Sequence, residues 1–403
     1  MLKNIKGITL VALVVTIVVL LILAGVSINL VLGNNGIIAK AKDAETKSAE
    51  ASQNDLKGMN DLEDEMDKQL GTYDPLKSIP TKTLEEAKVD FVKEKTKVEF
   101  SDGNVIIPEG FKIADVPASK VQNGVVIEDK DGNQFVWVPV DTLSNMAVPT
   151  SGTDANRNTN YRGVLYNWNT DATGNTAYDW SADSTSYREP ANSSSDSTSK
   201  NSSWTSTLYQ EEYNKMIKSV SQYGGFYVGR YEMSLNSETK NAESKYGATS
   251  ANAKDTDTNQ WYGLYNRAKT YAPENASQKV VSSMIWGSQW DATMRWMYNS
   301  GNEEKKKYTY DSRGKGNYSS DSPIATGSIE AYAVNNIYDM AGNVNDWTIE
   351  AYGTILRDGR GGYYRNNGNS GPASIRSTNG SNEQQRRPWL SCSFIYVTQF
   401  LCM

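Results

Sequence analysis

Three oxygen-bearing side chains fall close together in the segment "NNIYDMAGNVNDWT", which spans residues 335–348. They belong to Asp339, Asn343 and Asp346. Carboxylate and amide oxygens within one short loop are the ligands that a hard cation such as calcium prefers. Gly342 supplies a tight turn where a side chain would clash. The sequence therefore predicts a calcium site, and the alternative is that these groups satisfy the amides of a turn.

A second group of residues has the composition of a recognition surface. It follows "GRGG" and is rich in aromatic, guanidinium and amide side chains, which make adaptable contacts in binding interfaces. The alternative for most of these residues, taken singly, is an ordinary solvated turn. We predict that the ligand-binding residues are Tyr363, Tyr364, Arg365, Asn366, Asn367 and Arg376.

The composition removes several kinds of catalysis. The 403 residues include no histidine, so the usual general base, zinc ligand and non-haem iron ligand are missing. Cysteine occurs only at Cys392 and Cys402, which excludes a disulfide scaffold but allows either one bridge or two free thiols. The net charge of −6 argues against a nucleic-acid partner, which would need a basic face.

Residues 8–33 are predicted to form a transmembrane helix. From Ile8 to Leu32 the chain has 25 residues without a charge, which is enough to cross a bilayer core. Lys3 and Lys6 precede this span, so the positive-inside rule keeps the N-terminus in the cytoplasm. We therefore expect a single pass through the cell membrane, with the C-terminal domain extracellular.

The start of the chain resembles the class III signal of type IV pilins and pseudopilins. "KG" followed by "ITLVALVVTIVVLLILAG" is similar to a prepilin-peptidase site, which implies a leader of residues 1–7, cleavage after Gly7 and a mature chain beginning at Ile8. The family usually has Glu at the fifth mature position, where this chain has Ala12. We therefore expect processing rather than bulk filament assembly. Prepilin peptidase and a pilus or secretion apparatus are the implied partners, and an uncleaved signal anchor is the alternative.

The rest of the chain is predicted to form a stalk, a linker and an α+β domain. Residues 34–71 have helical composition and spacing, 72–104 form a charged linker, and 105–403 form the domain. Alternating apolar runs around "EDKDGN" indicate a β-hairpin. Ser, Thr, Asn, Asp and Gly dominate residues 150–206, which are predicted to be a low-complexity insertion that cannot bury a core.

Three aromatic segments and the end of the chain carry further predictions. "GGFYVGRYEMS" alternates as a buried strand does, and "WYGLYNRAKTYA" has helical spacing. "VVSSMIWGSQWDATMRWM" predicts a strand or turn that leads into a helix, with Trp290, Met294 and Met297 on one face. From Trp389 onward the chain is apolar and β-prone, and is either a closing strand in altered form or the product of a frameshift.

Four segments, in their order along the chain, resemble the formylglycine-generating enzyme (sulfatase-modifying factor) family, a variant of the C-type-lectin fold. They are "FYVGRYEMS", "IWGSQWDATMRWM", "NNIYDMAGNVNDW" and "GRGGYY". The resemblance covers residues 105–376 and implies a C-type-lectin-like domain with long polar insertions. It also implies calcium near the third segment, where the family has an acidic residue between two tryptophans. Here Asp346 stands at the acidic position and Asn345 replaces the first tryptophan.

The family's oxidases bind copper through a pair of cysteines near the end of the fold, and Cys392 and Cys402 do not match that motif. The iron-dependent relatives use histidine, so we expect neither copper nor iron. We predict a non-catalytic adhesin-like or receptor-like protein that displays its domain on a bacterial surface and binds an extracellular protein or glycan. The alternatives are a minor pilin or pseudopilin and a formylglycine-generating-type oxidase.

Overall fold

In the computed structural model the chain divides into two compact units, Met1–Ser78 and Ile79–Met403. The predicted processing site at Gly7 and Ile8 lies outside the described residues, as do both cysteines and most of the stalk and of the predicted insertion. The structure describes residues 10–32, 38–48, 51, 54–55, 74–141, 168–170, 176–178, 187–188, 206–251, 261–272, 280–352, 356–380, 390–391 and 395–399.

The first unit contains the helices α1 (Leu10–Leu32) and α2 (38–48). Helix α1 is uncharged, and the side chains described in it, those of residues 13–24, are exposed. Helix α2 carries an ion pair between Lys47 and Asp43, with 2.8 Å between Nζ and Oδ2. Across the part of the chain that the structure describes, no helix has both the length and the apolar character needed to span a membrane. The helical prediction for this region is confirmed at α1 and α2, and the membrane anchor stays a prediction.

The second unit contains both helices and sheets. Its helices are α3 (Leu84–Val89), α4 (Ser206–Tyr223), α5 (Trp261–Ala268), α6 (Gly287–Tyr298) and α7 (Glu303–Tyr310), with short 3-10 helices at Val121–Asn123 and Glu330–Tyr332. Its strands are β1 (Thr81–Lys82), β2 (Thr96–Phe100), β3 (Gly103–Ile107), β4 (Phe111–Ile113), β5 (Val126–Asp129), β6 (Gln134–Pro139), β7 (Trp168–Thr170), β8 (Thr176–Tyr178), β9 (Tyr187–Arg188), β10 (Gly225–Gly229), β11 (Ser234–Leu235), β12 (Ala242–Glu243), β13 (Val280–Met284), β14 (Asn345–Tyr352), β15 (Leu356–Arg360), β16 (Arg376–Gly380), β17 (Leu390–Ser391) and β18 (Ile395–Gln399).

The strand pairing is mainly antiparallel. The β1–β2 and β14–β17 pairs are parallel, and the other described pairs are antiparallel. Antiparallel sheets together with separate helices make the fold class α+β, as the sequence predicts.

Residues 79–104, predicted as part of a linker, are folded into the second unit. Strands β1, β2 and β3 form a three-stranded sheet beside α3. The Oγ1 of Thr83 accepts a hydrogen bond from the Glu86 backbone N–H, and the Glu86 carboxylate accepts one from the Thr83 N–H at 2.8 Å. This reciprocal capping stabilises the start of α3. The high charge of the segment is therefore compatible with regular structure, and the folded unit begins earlier than predicted.

The largest sheet has six strands in the order β13-β18-β10-β6-β5-β4. Strands β5 and β6 form the hairpin predicted around "EDKDGN", and β10 is buried at every residue, as predicted. Strand β18 comes from the apolar end of the chain and pairs with β10 on one side and β13 on the other. This interior position is the one expected of a closing strand.

Helices α5 and α6 connect the sheets through buried aromatic side chains. Trp290, Met294 and Met297 are fully buried on α6, and so are most of the other residues of this helix, so the predicted face is not its only buried side. The Nε1 of Trp290 donates to the Ala373 carbonyl at 2.9 Å. The Nε1 of Trp261 on α5 donates to a carbonyl of β14 at 2.8 Å. These bonds fix both helices against the part of the chain that carries the candidate residues.

A second sheet positions those candidate residues, with the order β16-β15-β14-β17 and with β9 also paired to β14. Its register places Arg360 on β15 beside Asp346 on β14 and beside Arg376 on β16. Strand β9 belongs to the predicted 150–206 insertion, so part of that insertion joins the sheet.

Candidate functional site

The loop Tyr363–Asn367 begins at a tight turn that follows β15. Gly361 has a φ of +83°, and a Cβ there would lie 2.7 Å from the Met340 carbonyl oxygen. Glycine alone combines this backbone conformation with so close an approach. The turn therefore places the predicted ligand-binding loop directly beside the segment that contains the predicted calcium ligands.

Backbone hydrogen bonds hold the loop on both sides. The Tyr364 N–H donates to the Asn343 carbonyl at 3.0 Å, and the Tyr364 carbonyl accepts from the Ser320 N–H at 2.8 Å. The Asn366 carbonyl accepts from the Ser319 N–H at 3.1 Å, and Asn366 Oδ1 accepts from the Tyr363 N–H at 3.0 Å. The loop is thus fixed before any ligand arrives, which lowers the entropy cost of binding.

The predicted residues of this loop have different roles. Tyr364 is only 6% exposed, and the Arg365 guanidinium lies 5.5 Å from the centre of its ring. Tyr363 is half-buried and meets Tyr364 edge-to-face at 5.7 Å, while Arg365 and Asn367 are exposed. Asn366 and Asn367 both accept hydrogen bonds from backbone N–H groups of the turn. Arg365 and Tyr363 are therefore the side chains best placed to contact a ligand. The buried ring of Tyr364 packs against the guanidinium of Arg365.

Arg376, the sixth predicted residue, lies elsewhere. Its side chain is 7% exposed and pairs with Asp291 and with Glu350, whose Oε1 is 2.6 Å from Arg376 Nε. The fully buried Arg360 contacts the same two carboxylates, at 2.7 Å for Asp291 Oδ1 and 2.8 Å for Glu350 Oε2. These four residues form the ion-pair cluster. Arg376 is therefore held by ion pairs with buried carboxylates, whereas the exposed side chains of the Tyr363–Asn367 loop face solvent.

The other members of the ion-pair cluster were not among the predicted residues. One signal in the sequence could have identified Glu350, because it interrupts the apolar run "WTIEAY", and a charge in such a run is normally buried with a partner. No local signal identifies Asp291, which reaches the cluster from α6.

The predicted calcium ligands Asp339 and Asn343 are buried and hydrogen-bonded. Asp339 Oδ2 accepts from Thr326 Oγ1 at 3.0 Å and from the Gly327 N–H at 2.9 Å. Asn343 Oδ1 accepts from the Ile324 N–H at 2.8 Å, and its Nδ2 donates to Glu232 Oε2 at 2.7 Å. Both side chains therefore tie neighbouring loops together, as in the alternative interpretation of a hydrogen-bonded turn.

Asp346 differs from the other two. It is 0% exposed, and neither carboxylate oxygen has a hydrogen-bond partner among the described residues. Oε1 of Glu232 and the hydroxyl of Tyr308 are likewise buried without a partner in the described part of the chain. Burial raises the pKa of the Asp346 carboxyl well above its ordinary value, and the charges of Glu232 and Asp339 raise it further. Glu232, Asp339 and Asp346 form the carboxyl cluster.

The carboxyl cluster attracts either protons or a cation. Burial, followed by the charge of Asp339, raises the pKa of Glu232 well above its ordinary value. Burial also raises the pKa of Asp339, against the hydrogen bonds from Gly327 and Thr326. Three carboxyl groups with raised pKa values in one buried region are electrostatically costly when all are charged. A bound cation would remove that cost, and so would protonation.

The cluster fits a calcium ion only in part. Among the described residues, no group of three or more His, Cys, Asp or Glu side chains could hold a metal ion. The open oxygens are those of Asp346 and Oε1 of Glu232, so further ligands would have to be carbonyl oxygens or water, which calcium accepts. Glu232 was not predicted, because it lies on a separate segment after β10.

Comparisons with known proteins leave the family open. No family model matches the chain, and no curated protein matches it. Among solved structures, Treponema denticola variable protein 1 is similar over 67% of this chain and 96% of its own chain, with 12% sequence identity and a TM-score of 0.25. A likeness at that level supports no conclusion about fold or activity.

Proposed function

We propose that this chain is a non-catalytic, surface-anchored protein whose lectin-like second unit binds an extracellular protein or glycan through the Tyr363–Asn367 loop. The observation that carries the proposal is the position of Arg365. Its exposed guanidinium stacks on the buried ring of Tyr364, in a loop fixed by backbone hydrogen bonds. A rigid loop that presents Arg and Tyr to solvent is well suited to recognition, because these residues dominate binding hot spots.

The residue content of the chain supports a binding role rather than catalysis. The sequence has no histidine, and no cysteine occurs before Cys392. A serine or cysteine nucleophile would therefore lack an imidazole partner. The lectin-like assignment of the fold rests on the four sequence segments that resemble the formylglycine-generating enzyme family.

The proposed anchor is the N-terminal helix. The charge-free span Ile8–Leu32 and the preceding Lys3 and Lys6 support this role, and so does the exposure of the apolar side chains at 13–24.

We expect protease added to intact cells to remove the second unit while leaving the helix in the membrane. The mature chain should begin at Ile8 by mass spectrometry. Complete protection from protease would contradict surface display, and a chain beginning at Met1 would contradict prepilin-like processing.

We also propose that Asp346 is the main side-chain ligand of a calcium ion, because its buried carboxylate has no described partner. Chelation should then lower the melting temperature of the full chain. A ligand at a hundredfold excess over its dissociation constant stabilises the native state by about 2.7 kcal/mol. The matched variant Asp346→Asn keeps the shape but removes the charge, so it should melt at a lower temperature and no longer respond to chelator.

Neutralisation of the carboxyl cluster by protons instead of calcium would give different melting behaviour. If protons rather than calcium neutralise the carboxyl cluster, chelator has no effect and Asp346→Asn stabilises the protein. The native pKa values of Asp346 and Glu232 lie above their ordinary values of 3.8 and 4.5. Their stabilising contribution is then complete below those ordinary values and is lost as the pH rises through the native values. A melting temperature that falls with rising pH and ignores chelator would overturn the calcium proposal.

A further inference from the structure

Two oxygen atoms lie around the α-carbon of Gly361. A Cβ at this glycine would lie 2.7 Å from the Met340 carbonyl oxygen and 3.5 Å from Asp346 Oδ2. Because glycine has no side-chain atom at that point, the two oxygens border the same small space. The turn that begins the Tyr363–Asn367 loop therefore also borders the carboxyl cluster.

Neither oxygen accepts a hydrogen bond within the part of the chain that the structure describes. Met340 is 0% exposed, and its carbonyl accepts no N–H or O–H group of a described residue. The Asp346 carboxylate is equally buried and unpartnered. Buried acceptors normally have a partner. A cation satisfies both oxygens at once, and calcium takes backbone carbonyl groups as well as carboxylates as ligands.

Two backbone hydrogen bonds connect the neighbourhood of this carbonyl to the loop. The Gly342 N–H donates to the Gly361 carbonyl at 2.8 Å. The Tyr364 N–H donates to the Asn343 carbonyl at 3.0 Å. Gly342 and Asn343 follow closely after Met340 in the chain. A ligand that fixes the Met340 carbonyl therefore also fixes the residues that hold the loop.

We propose that a calcium ion bound by Asp346 and the Met340 carbonyl orders the Tyr363–Asn367 loop and so raises the affinity of the loop for its ligand. This inference rests on the proposed calcium site and on the proposed binding role of the loop, and it links the two. Without the ion, the charge of Glu232 repels that of Asp346 in the buried region. With the ion, the loop loses less conformational entropy on binding. The coupling is reciprocal, so a ligand on the loop should also tighten calcium binding.

The first test measures hydrogen exchange in the full chain, in detergent micelles, with calcium or with chelator. On chelation, peptides that cover residues 340–346 and 361–367 should take up deuterium severalfold faster, because their hydrogen bonds open more often. The hairpin of β2 and β3 should exchange at an unchanged rate. An equal rise in all peptides would mean that calcium acts on overall stability alone and would overturn the link, as would no rise at 361–367.

Terbium luminescence shows separately whether a cation binds. Terbium takes the same oxygen ligands as calcium, so calcium should displace it from the wild type. Asp346→Asn removes a charged ligand and should weaken terbium binding about tenfold or more. If no terbium binds to the wild type, the calcium part of the proposed function fails and this inference fails with it. If terbium binds but the loop exchanges equally with and without calcium, the calcium site stands and only the link is wrong.

Matched variants test whether the effect on the loop comes from this site. In Asp346→Asn, the loop should exchange at the same rate in calcium and in chelator. Asp321→Asn, which changes an exposed carboxylate one residue after Ser320, should keep the wild-type response. If Asp346→Asn does not fold, Glu232→Gln removes another charge of the carboxyl cluster and should reduce the response. A full response of the loop in the variant of the carboxyl cluster would place the ion elsewhere and overturn the proposal.

Discussion

Replacement of Arg360 by methionine is expected to lower the free energy of unfolding of the second unit by about 3–5 kcal/mol. Arg360 is fully buried, and its guanidinium donates to Glu350, Asp291 and the Ile375 carbonyl. Without it, Arg376 alone faces the buried carboxylates of Asp291, Glu350 and, at 3.8 Å from its Nε, Asp358, so negative charge is left uncompensated. A domain of ordinary stability keeps little reserve after such a loss, so the variant should be largely unfolded near physiological temperature.

Matched variants distinguish this effect from a general loss of charge. Arg360→Lys keeps the charge but cannot reach both carboxylates with a planar fork, so its melting temperature should lie between those of the wild type and the methionine variant. Lys88→Met breaks an exposed pair with Glu85 at 3.5 Å and should leave the melting temperature unchanged. Equal melting of the wild type and Arg360→Met would mean that the ion-pair cluster does not support the fold.

The double variant Tyr363→Ala/Arg365→Ala is expected to weaken ligand binding by about 2 kcal/mol or more, because aromatic and arginine side chains form typical hot spots. That change corresponds to roughly a 30-fold rise in Kd. The backbone hydrogen bonds that fix the loop join Tyr364 to Asn343 and Ser320, and Asn366 to Ser319, and they use neither substituted side chain. The loop should therefore keep its conformation, with at most a small fall in melting temperature from the lost packing of Tyr363 on Tyr364.

A matched control is the variant Tyr246→Ala/Lys130→Ala, which removes an exposed tyrosine and an exposed lysine that are distant in sequence from the Tyr363–Asn367 loop. It should leave binding unchanged. Equal affinity of both double variants and the wild type would show that the Tyr363–Asn367 loop does not contact the ligand, even if the protein binds one.

Local patterns predicted the local parts of the fold. The turn residues and flanking apolar runs predicted the β5–β6 hairpin, and the helical spacing predicted α6, although not that nearly every side of this helix is buried. Gly342 was predicted as a turn, and a Cβ there would lie 2.6 Å from the Asn317 carbonyl. The folded segment after Ser78 was missed, although "TLEE" at Thr83 carries the capping-box pattern that starts α3.

The candidate site was harder to predict, because its partners come from distant parts of the chain. Asp346 was predicted as a ligand, but Glu232 and Tyr308 reach the same buried region from other segments. Arg376 was predicted at the recognition surface because of its residue type. Its burial depends on the pairing of β15 with β16 and on Asp291 of α6, which no pattern near Arg376 reveals.

The proposal of a displayed binding protein is tested most directly by screening the full chain against extracellular glycan and protein arrays, beside the Tyr363→Ala/Arg365→Ala variant. We predict that the wild type captures a ligand and that the variant loses it at the same protein concentration while remaining folded at the assay temperature. Equal capture by both proteins would contradict the assignment of the loop. Formation of formylglycine on a cysteine-containing peptide by the purified chain would contradict the non-catalytic function itself.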